Sequence, residues 1–317
     1  MAMRTVTSGK IKDWANEIGF DLVGIAPAKP ISDERRQAYE RYLEKGYYGE
    51  MSYLARNVEK RVDPRELVLG AKSVICTATN YYVGDEPPGK QEGQSHGRVA
   101  RYAWGRDYHV VLKDRLKTLA DKIRAVQPDA FVRRFVDTAP VAEREFAMRA
   151  GLGWIGKHGL VLNKRLGSWL LLGEIVTDLE LDYDEPGTDH CGSCTACLDA
   201  CPTDAFDGPQ VLDPRKCISY LTIESRKPIP DPLAKDCGDW IFGCDVCQEV
   251  CPFNRRAPIT DDSDFQPRLQ WATLPLQQIL KFTKEDFQKR FTGNAMDRTN
   301  CDHMQHVVEN SRKNIDS

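Results

Sequence analysis

Cysteine spacing is the strongest chemical signal in this sequence of 317 residues. The stretch HCGSCTACLDACPTDAF follows the pattern C-x2-C-x2-C-x3-C-P, with its cysteines at Cys191, Cys194, Cys197 and Cys201. Such a run wraps three thiolates around one 4Fe–4S cluster, while the fourth thiolate can reach a second cluster. A zinc site needs only four ligands, and this spacing with a terminal Cys-Pro is unusual for one. We therefore predict an iron–sulfur cluster.

A second run, GCDVCQEVCPFN, carries Cys244, Cys247 and Cys251 and also ends in Cys-Pro. Ile241 stands where a leading cysteine would complete the pattern. In two-cluster ferredoxins the last cysteine of each run crosses to the other cluster. By this logic Cys251 completes the first cluster and Cys201 joins the second. The second cluster then still needs one more ligand.

Two cysteines are candidates for that ligand, Cys217 in RKCISYL and Cys237 in KDCGDW. We favour Cys217, because a ligand displaced upstream frees that corner of the fold, and we keep Cys237 as the alternative. We expect Cys76 and Cys301 to be ordinary residues. Clustered cysteines in a reducing compartment indicate metal or redox chemistry rather than disulfides. Two clusters form a one-electron wire, so the rest of the chain should hold the group that receives the electrons.

Asp137 is a candidate acid. It ends the predicted strand AFVRRFV and directly precedes TAPVAERE. A carboxylate at the mouth of a strand, ahead of a helix N-terminus, is a common position for a catalytic group. The alternative is that Asp137 or Thr138 caps the helix that follows, and position alone does not decide between the two.

The elements that must position these residues alternate between helix and strand over the first 180 or so residues. IKDWANEIGF predicts a helix with Gly19 at its C-cap, and SWLLLGEIVTDL predicts a buried strand over 168–179. The stretch from Val83 to Arg98, rich in Gly, Pro and charge, predicts an exposed loop. We predict an α+β protein in three parts: an N-terminal α/β domain over 1–181, a two-cluster ferredoxin-like module over 182–258 and a helical tail over 259–317.

Composition limits the partners. The formal net charge of −3 argues against nucleic-acid binding through global charge alone. Basic patches at 131–135 and 156–165 could form a local basic face, although we favour a solvated surface as the explanation of each. No apolar run approaches the roughly 18 residues of a membrane span, and MAMRTVTSGK has no hydrophobic stretch typical of a secretory signal. We expect a cytoplasmic protein with no membrane partner.

Several long motifs, in one order, resemble the epoxyqueuosine reductase family. They are EKRVDPRELVLGAKSVI, ARYAWGRDYH, VDTAPVAERE, RAGLGWIGKHGLVLN, GSWLLLGEI, HCGSCTACLDACPTDAF, RKCISYLTIE and IFGCDVCQEVCPFN. The resemblance supports Cys217 over Cys237. It implies an oxidoreductase that reduces the epoxide of epoxyqueuosine in tRNA to queuosine. It also implies cobalamin and two 4Fe–4S clusters as cofactors, and a low-potential electron donor as a further partner.

The resemblance also implies roles for individual residues. Asp137 becomes the acid that protonates the opening epoxide oxygen. Cobalamin is implied to lie base-off between the N-terminal domain and the ferredoxin-like module, with no protein ligand to cobalt. The residues we place around it are Arg61, Ser168, Ser219, Tyr220 and Asp245.

Two features depart from simple expectations. The DYH element at 107–109 matches part of the D-x-H-x-x-G element that supplies histidine to cobalt in some corrinoid proteins. Because Leu112 replaces its glycine, we do not expect His109 to bind cobalt. The tail over 259–317 is short beside the helical repeats that help family members clasp tRNA, so we expect altered tRNA binding.

The alternative function is reduction of a small molecule by a dehalogenase-like corrinoid and iron–sulfur enzyme.

Overall fold

Helices and strands alternate along the residues that the structure, a computed structural model, describes, which are 6–87 and 95–316. The α-helices are α1 Ser8–Ile18, α2 Asp33–Glu44, α3 Val58–Val62, α4 Pro64–Leu67, α5 Tyr108–Val126, α6 Glu143–Arg149, α7 Ala196–Asp199, α8 Ile218–Ile223, α9 Asp231–Ala234, α10 Val246–Glu249, α11 Leu269–Ala272, α12 Leu276–Ile279, α13 Lys284–Phe291 and α14 Cys301–Asp316. The strands are β1 Leu22–Pro27, β2 Ser73–Asn80, β3 His96–Val99, β4 Val132–Phe135, β5 Trp154–Ile155, β6 Val161–Leu162, β7 Leu170–Thr177, β8 Phe206–Gly208, β9 Val211–Leu212, β10 Trp240–Phe242 and β11 Leu274–Pro275. Short 3₁₀ turns lie at Ser52–Ala55, Arg101–Ala103, Pro214–Lys216, Asn254–Arg256 and Ala295–Arg298.

The central sheet has the strand order β1-β2-β7-β4, and every neighbouring pair is antiparallel. All eight residues of β2 are buried, because helices cover both faces of the sheet. Ile75 packs on the face covered by α1 and α5, while Cys76 packs on the face covered by α6. This alternation is the period of two that a strand buried on both sides requires. The fold is α+β, as predicted.

Two predicted elements are confirmed. Helix α1 begins after Thr7, whose hydroxyl accepts the Lys10 N–H at 3.3 Å, and it ends at Gly19, which adopts a φ of 100°. That left-handed conformation is the one in which glycine commonly terminates a helix. The strand predicted over 168–179 is β7.

The loop predicted from Val83 to Arg98 is only partly a loop. Its last residues form β3, which pairs in parallel with β10 and antiparallel with β11. The prediction is wrong there because distant strands supply the hydrogen-bond partners, and a local reading of turn residues cannot detect them. Residues 88–94 of the predicted loop lie outside the described residues.

A second apolar core lies around β3 and β10. Helices α8, α12, α13 and α14 share it, with Phe291, Met296 and Val307 fully buried. Residues from Val99 to Trp104 pack into the same core, so the segment after β3 joins the C-terminal half. The boundaries predicted for the three parts stay a prediction. Among the described residues, no helix is both long and apolar enough to cross a membrane.

Candidate functional site

A cavity of about 1020 Å³ lies where the central sheet, α2 and the cysteine-bearing region meet. Tyrosines contribute much of its apolar wall: Tyr39, Tyr42, Tyr53, Tyr81, Tyr102 and Tyr108. The predicted acid Asp137 lines it, as do four cysteines, which are Cys201, Cys217, Cys244 and Cys247. One space therefore brings together the two chemical features that the sequence singled out.

The first set of cysteines contains Cys191, Cys194, Cys197 and Cys251. Burial, and then the charges of Cys251, Cys191 and Cys194, raise the pKa of Cys197 to about 11. The Trp154 indole N–H donates to Cys191 Sγ at 3.4 Å. Cys251 thus lies beside the first run although at least 54 residues separate it from that run's first three members.

The second set contains Cys201, Cys217, Cys244 and Cys247. Burial first, and then the charges of Cys244 and Cys217, hold the pKa of Cys247 well above its ordinary value. Cys244 is affected in the same way by Cys217 and Cys201. The alternative ligand Cys237 is almost fully buried in the second apolar core. Burial, and then the charges of Asp236 and Cys217, raise the pKa of Cys237 to about 12.

All eleven cysteines are free thiols. Within residues 6–87 and 95–316, no three His, Cys, Asp or Glu side chains meet closely enough to share one metal ion. The thiolates of a 4Fe–4S cluster bind through separate iron atoms rather than a common one. The two sets are defined by mutual charge effects and by their shared surroundings.

Asp137 follows β4 and adopts a φ of 52°, in the left-handed region that non-glycine residues rarely occupy. Its backbone N–H donates to Glu143 Oε1 at 2.5 Å. The next helix, α6, has Ala142 as its N-cap and receives no side-chain capping bond. Neither Asp137 nor Thr138 caps it, so the capping alternative is wrong.

The Asp137 carboxylate is held by two neighbouring residues at the start of α5. The Tyr108 hydroxyl donates to Asp137 Oδ2 at 3.0 Å, and His109 Nε2 lies 3.1 Å from the same oxygen. His109 Nδ1 lies 2.8 Å from Oδ1 of Asp107, the N-cap of α5. The sequence reasoning missed this Asp107–His109–Asp137 chain. The sequence feature that could have pointed to this arrangement is the DYH element at the start of an amphipathic helix.

The hydrogen bonds among Asp107, His109 and Asp137 determine which of these side chains carries the proton. Burial lowers the pKa of His109, but the bonds to Asp107 and Asp137 outweigh it and raise the pKa to about 9. Burial raises the pKa of Asp137, but the hydrogen bond and charge of His109 outweigh it and leave the pKa below its ordinary value. At neutral pH the imidazole is therefore protonated and the carboxylate ionised. Together they hold one transferable proton at the cavity.

Four of the five residues predicted around cobalamin line the cavity, namely Arg61, Ser168, Ser219 and Asp245. The fifth, Tyr220, is absent from the described lining residues; its hydroxyl accepts the Glu50 N–H at 2.7 Å.

Three of these lining residues, Arg61, Ser168 and Asp245, differ in their hydrogen-bond partners. Arg61 Nε is buried and has no hydrogen-bond partner among the described residues. The Ser168 hydroxyl accepts from Asn254 Nδ2 at 2.9 Å and from Gln248 Nε2 at 3.1 Å. Asp245 is 2% exposed and pairs with the buried guanidinium of Arg101 at 3.0 Å. The Arg61 nitrogen and the Ser168 hydroxyl proton remain for a bound group.

Two family models match this chain. The model described as "4Fe-4S double cluster binding domain" covers residues 190–254, which span all eight predicted ligands and end just after Cys251. The chain is thus a two-cluster iron–sulfur protein. The model described as "Epoxyqueuosine reductase QueG, DUF1730" covers residues 61–138, from Arg61 to just past Asp137.

A relative from Cyclobacterium marinum, named epoxyqueuosine reductase, is 43% identical over 304 residues, which cover 95% of this chain and 96% of that relative. The chain belongs to the epoxyqueuosine reductase family and is an oxidoreductase. This confirms the resemblance drawn from the motifs.

Two solved structures agree with this assignment. A crystal structure of an epoxyqueuosine reductase with an epoxyqueuosine-modified tRNA-Tyr stem loop matches at a TM-score of 0.90 and 30% identity, over 96% of this chain and 80% of that one. A Bacillus subtilis epoxyqueuosine reductase, with its catalytic aspartate loop swung out of the active site, matches at a TM-score of 0.90 and 29% identity, over 96% and 81%.

Proposed function

We propose that this chain reduces the epoxide of epoxyqueuosine in tRNA to the alkene of queuosine. Two electrons and two protons enter the reaction and one water leaves. The observation that carries this proposal is that Asp137, which is hydrogen-bonded to His109, lines the same cavity as four cysteines. A reduction that expels oxygen as water needs both a source of electrons and a source of protons, and this cavity has candidates for each.

We assign the two cysteine sets as cluster ligands. The first cluster takes Cys191, Cys194, Cys197 and Cys251, and the second takes Cys201, Cys217, Cys244 and Cys247. Mutual charge effects within each set support this grouping. Since all four cysteines of the second set line the cavity, the second cluster is the one we expect to deliver electrons there. Cys217 lines the cavity together with Cys201, Cys244 and Cys247, whereas Cys237 is not among the described lining residues, and this supports Cys217 as the eighth ligand.

We assign cobalamin to the cavity, with Arg61, Ser168, Ser219 and Asp245 as residues that hold it. The cavity is as large as the biggest common ligand sites. The unpartnered Arg61 nitrogen fits a polar group of the cofactor. Both ring nitrogens of His109 are engaged with carboxylates, which supports the absence of a histidine ligand to cobalt. When bound, the cofactor supplies a strongly reducing metal centre.

The proton for the opening epoxide oxygen comes from the Asp137–His109 pair. Both hydrogen bonds to Asp137 end on Oδ2, so Oδ1 is the oxygen we assign to the substrate. At neutral pH Asp137 is ionised and His109 carries the proton. His109 therefore first transfers this proton to Asp137 Oδ2, and rotation of the resulting carboxylic acid group presents it to the epoxide oxygen. Asp107 holds the imidazole ring and stabilises its positive charge.

The substrate partner is tRNA bearing epoxyqueuosine, and an unidentified low-potential donor supplies the electrons. The stem loop bound to a family member supports tRNA over the small-molecule alternative. Despite the net charge of −3, arginines line the cavity: Arg35, Arg61, Arg144 and Arg298. Such guanidinium groups suit a polyanionic partner. Acting on tRNA, the enzyme would reside in the cytoplasm.

Anaerobic turnover tests this proposal. The protein is reconstituted with iron, sulfide and cobalamin and given a low-potential reductant and epoxyqueuosine-containing tRNA, and the digested nucleosides are read by mass spectrometry. We expect loss of one oxygen from the base with wild type, and a rate at least about 100-fold lower with Asp137→Asn. The matched control is Asp121→Asn, on the exposed face of α5, which should keep the wild-type rate. No conversion by loaded wild type would contradict the substrate, and full activity of Asp137→Asn would contradict the acid.

A further inference from the structure

Two glutamates meet beneath the Asp137 loop, and the proposed reaction leaves them without a role. Glu174 lies on β7, opposite Cys76 of β2 and Phe135 of β4, and is fully buried. Glu143 is the first residue of α6. The two carboxyl groups interact: the charge of Glu143 raises the pKa of Glu174, and hydrogen bonding to Glu174 lowers the pKa of Glu143. We call Glu143 and Glu174 the carboxyl pair.

The environment of the carboxyl pair favours a protonated Glu174. Both oxygens of Glu174 are buried, and neither accepts a hydrogen bond from an N–H or O–H of any described residue. An ionised carboxylate buried without a donor is far less favourable than its protonated form. If Glu174 is protonated, its hydroxyl donates to Glu143 and the contact between two acids becomes a hydrogen bond. The negative charge of the neighbouring Asp137 also favours the protonated form of Glu174.

The pKa values agree with this geometry. Burial first, and then the charge of Asp137, raise the pKa of Glu143 to about 8. Burial, and then the charge of Glu143, hold the pKa of Glu174 well above its ordinary value. Further titratable groups that interact with the pair include Arg144, Tyr108 and Cys76, and of these three Arg144 is the cationic one.

We propose that Glu174, held neutral, donates its proton to Glu143, and that Glu143 thereby holds the Asp137 loop in the conformation that presents its carboxylate to the cavity. Glu143 Oε1 accepts the Asp137 N–H, and this tether opposes the cost of the left-handed backbone at Asp137. The carboxyl pair consists of positioning residues, since they act through Asp137. The inference rests on the proposed role of Asp137 as the acid.

Hydrogen exchange tests the tether on the cofactor-loaded protein without any turnover. The variants are Glu174→Gln, whose amide N–H can still donate to Glu143, Glu174→Leu, which cannot donate, and Glu143→Ala, which removes the acceptor. We expect the peptide 136–143 to exchange as in wild type with Glu174→Gln, and at least about tenfold faster with the other two variants. The control is Glu180→Gln, an exposed partner of Lys72, with exchange unchanged.

Infrared spectroscopy tests the proton directly. At neutral pH the wild-type protein should show carbonyl absorption of protonated carboxylic acids that loses intensity in Glu174→Gln and keeps its full intensity in Glu180→Gln. Glu143, whose pKa is raised to about 8, accounts for the absorption that remains in Glu174→Gln. An ionised Glu174 would contribute no such absorption. An unchanged infrared spectrum, or wild-type exchange of 136–143 in Glu143→Ala, would overturn the inference. By contrast, full activity of Asp137→Asn would overturn the proposed acid while leaving both of these readouts intact.

Discussion

The cysteine-bearing region and the Asp137 site share one cavity but are built in different ways. In the first, seven of eight predicted ligands fall in two short runs whose spacing carries the chemistry. In the second, the hydrogen-bond partners of Asp137 come from α5 and α6, Glu174 of β7 supports one of them, and His109 is 28 residues away along the chain. The spacing of cysteines within a short run is enough to place most ligands of a cluster. The side chains that deliver a proton to the cavity are brought together only when distant helices and strands pack against each other.

The two regions also differ in how their charged groups interact. Burial, and then the charges of neighbouring cysteines, raise the pKa of Cys197 in the first set and of Cys247 in the second. Bound iron would relieve this repulsion. Around Asp137 the charges already alternate, from Asp107 through His109 to Asp137. The cysteine sets therefore depend on their metal, while the Asp137 site is organised by the protein alone.

Replacement of the eighth ligand should have the largest effect. Cys217→Ala should reduce the iron content from about eight to about four atoms per chain and abolish turnover, because the second cluster loses a ligand. Cys237→Ala, the matched control, should retain the iron and the activity. Iron and sulfide analysis with electron paramagnetic resonance would measure this. The opposite pattern would make Cys237 the ligand, and would mean that spacing is a weaker guide in this region than we infer.

Loss of His109 should have the next largest effect. In His109→Gln the side chain can still bond to Asp137 but brings no proton, so turnover at neutral pH should fall about 10- to 100-fold. In wild type, activity should persist at neutral pH and decline as the pH rises through about 9, where His109 loses its proton. In the variant the decline should move to lower pH, towards the ordinary range of an aspartic acid.

The matched control for this prediction is His306→Gln, on α14 and outside the cavity lining among described residues. It should leave the pH–rate profile unchanged. Superimposable profiles for wild type and His109→Gln would show that Asp137 receives its proton elsewhere, and the contrast between the two regions would lose its main support.

Ser168→Ala should have the smallest effect. The change removes an acceptor shared by Gln248 and Asn254, but both amides keep a backbone acceptor. We expect a loss of about 1 kcal/mol in the free energy of unfolding, together with weaker cobalamin binding measured by absorbance. Ser311→Ala is the control, since the buried Ser311 hydroxyl has no partner among the described residues. An equal effect of both variants would remove Ser168 from the cofactor site.

Sequence alone determined the iron–sulfur chemistry, the α+β class and the family, because each is carried by local patterns. Cysteine spacing, the apolar run that forms β7 and the helix-ending Gly19 are properties of short segments. The candidate acid Asp137 was also accessible, since a carboxylate at a strand end is a local feature.

Only the tertiary structure decided what surrounds that acid. Glu174 is the single charged residue of β7, LLLGEIVT, and its burial against Glu143 depends on the β4–β7 register and on how α6 packs. His109 looked like a degenerate corrinoid element until the packing of α5 brought it beside Asp137. The strand β3 likewise needed β10 and β11 to form. Side-chain contacts between distant segments depend on packing, and packing is settled by the whole chain rather than by any one stretch of it.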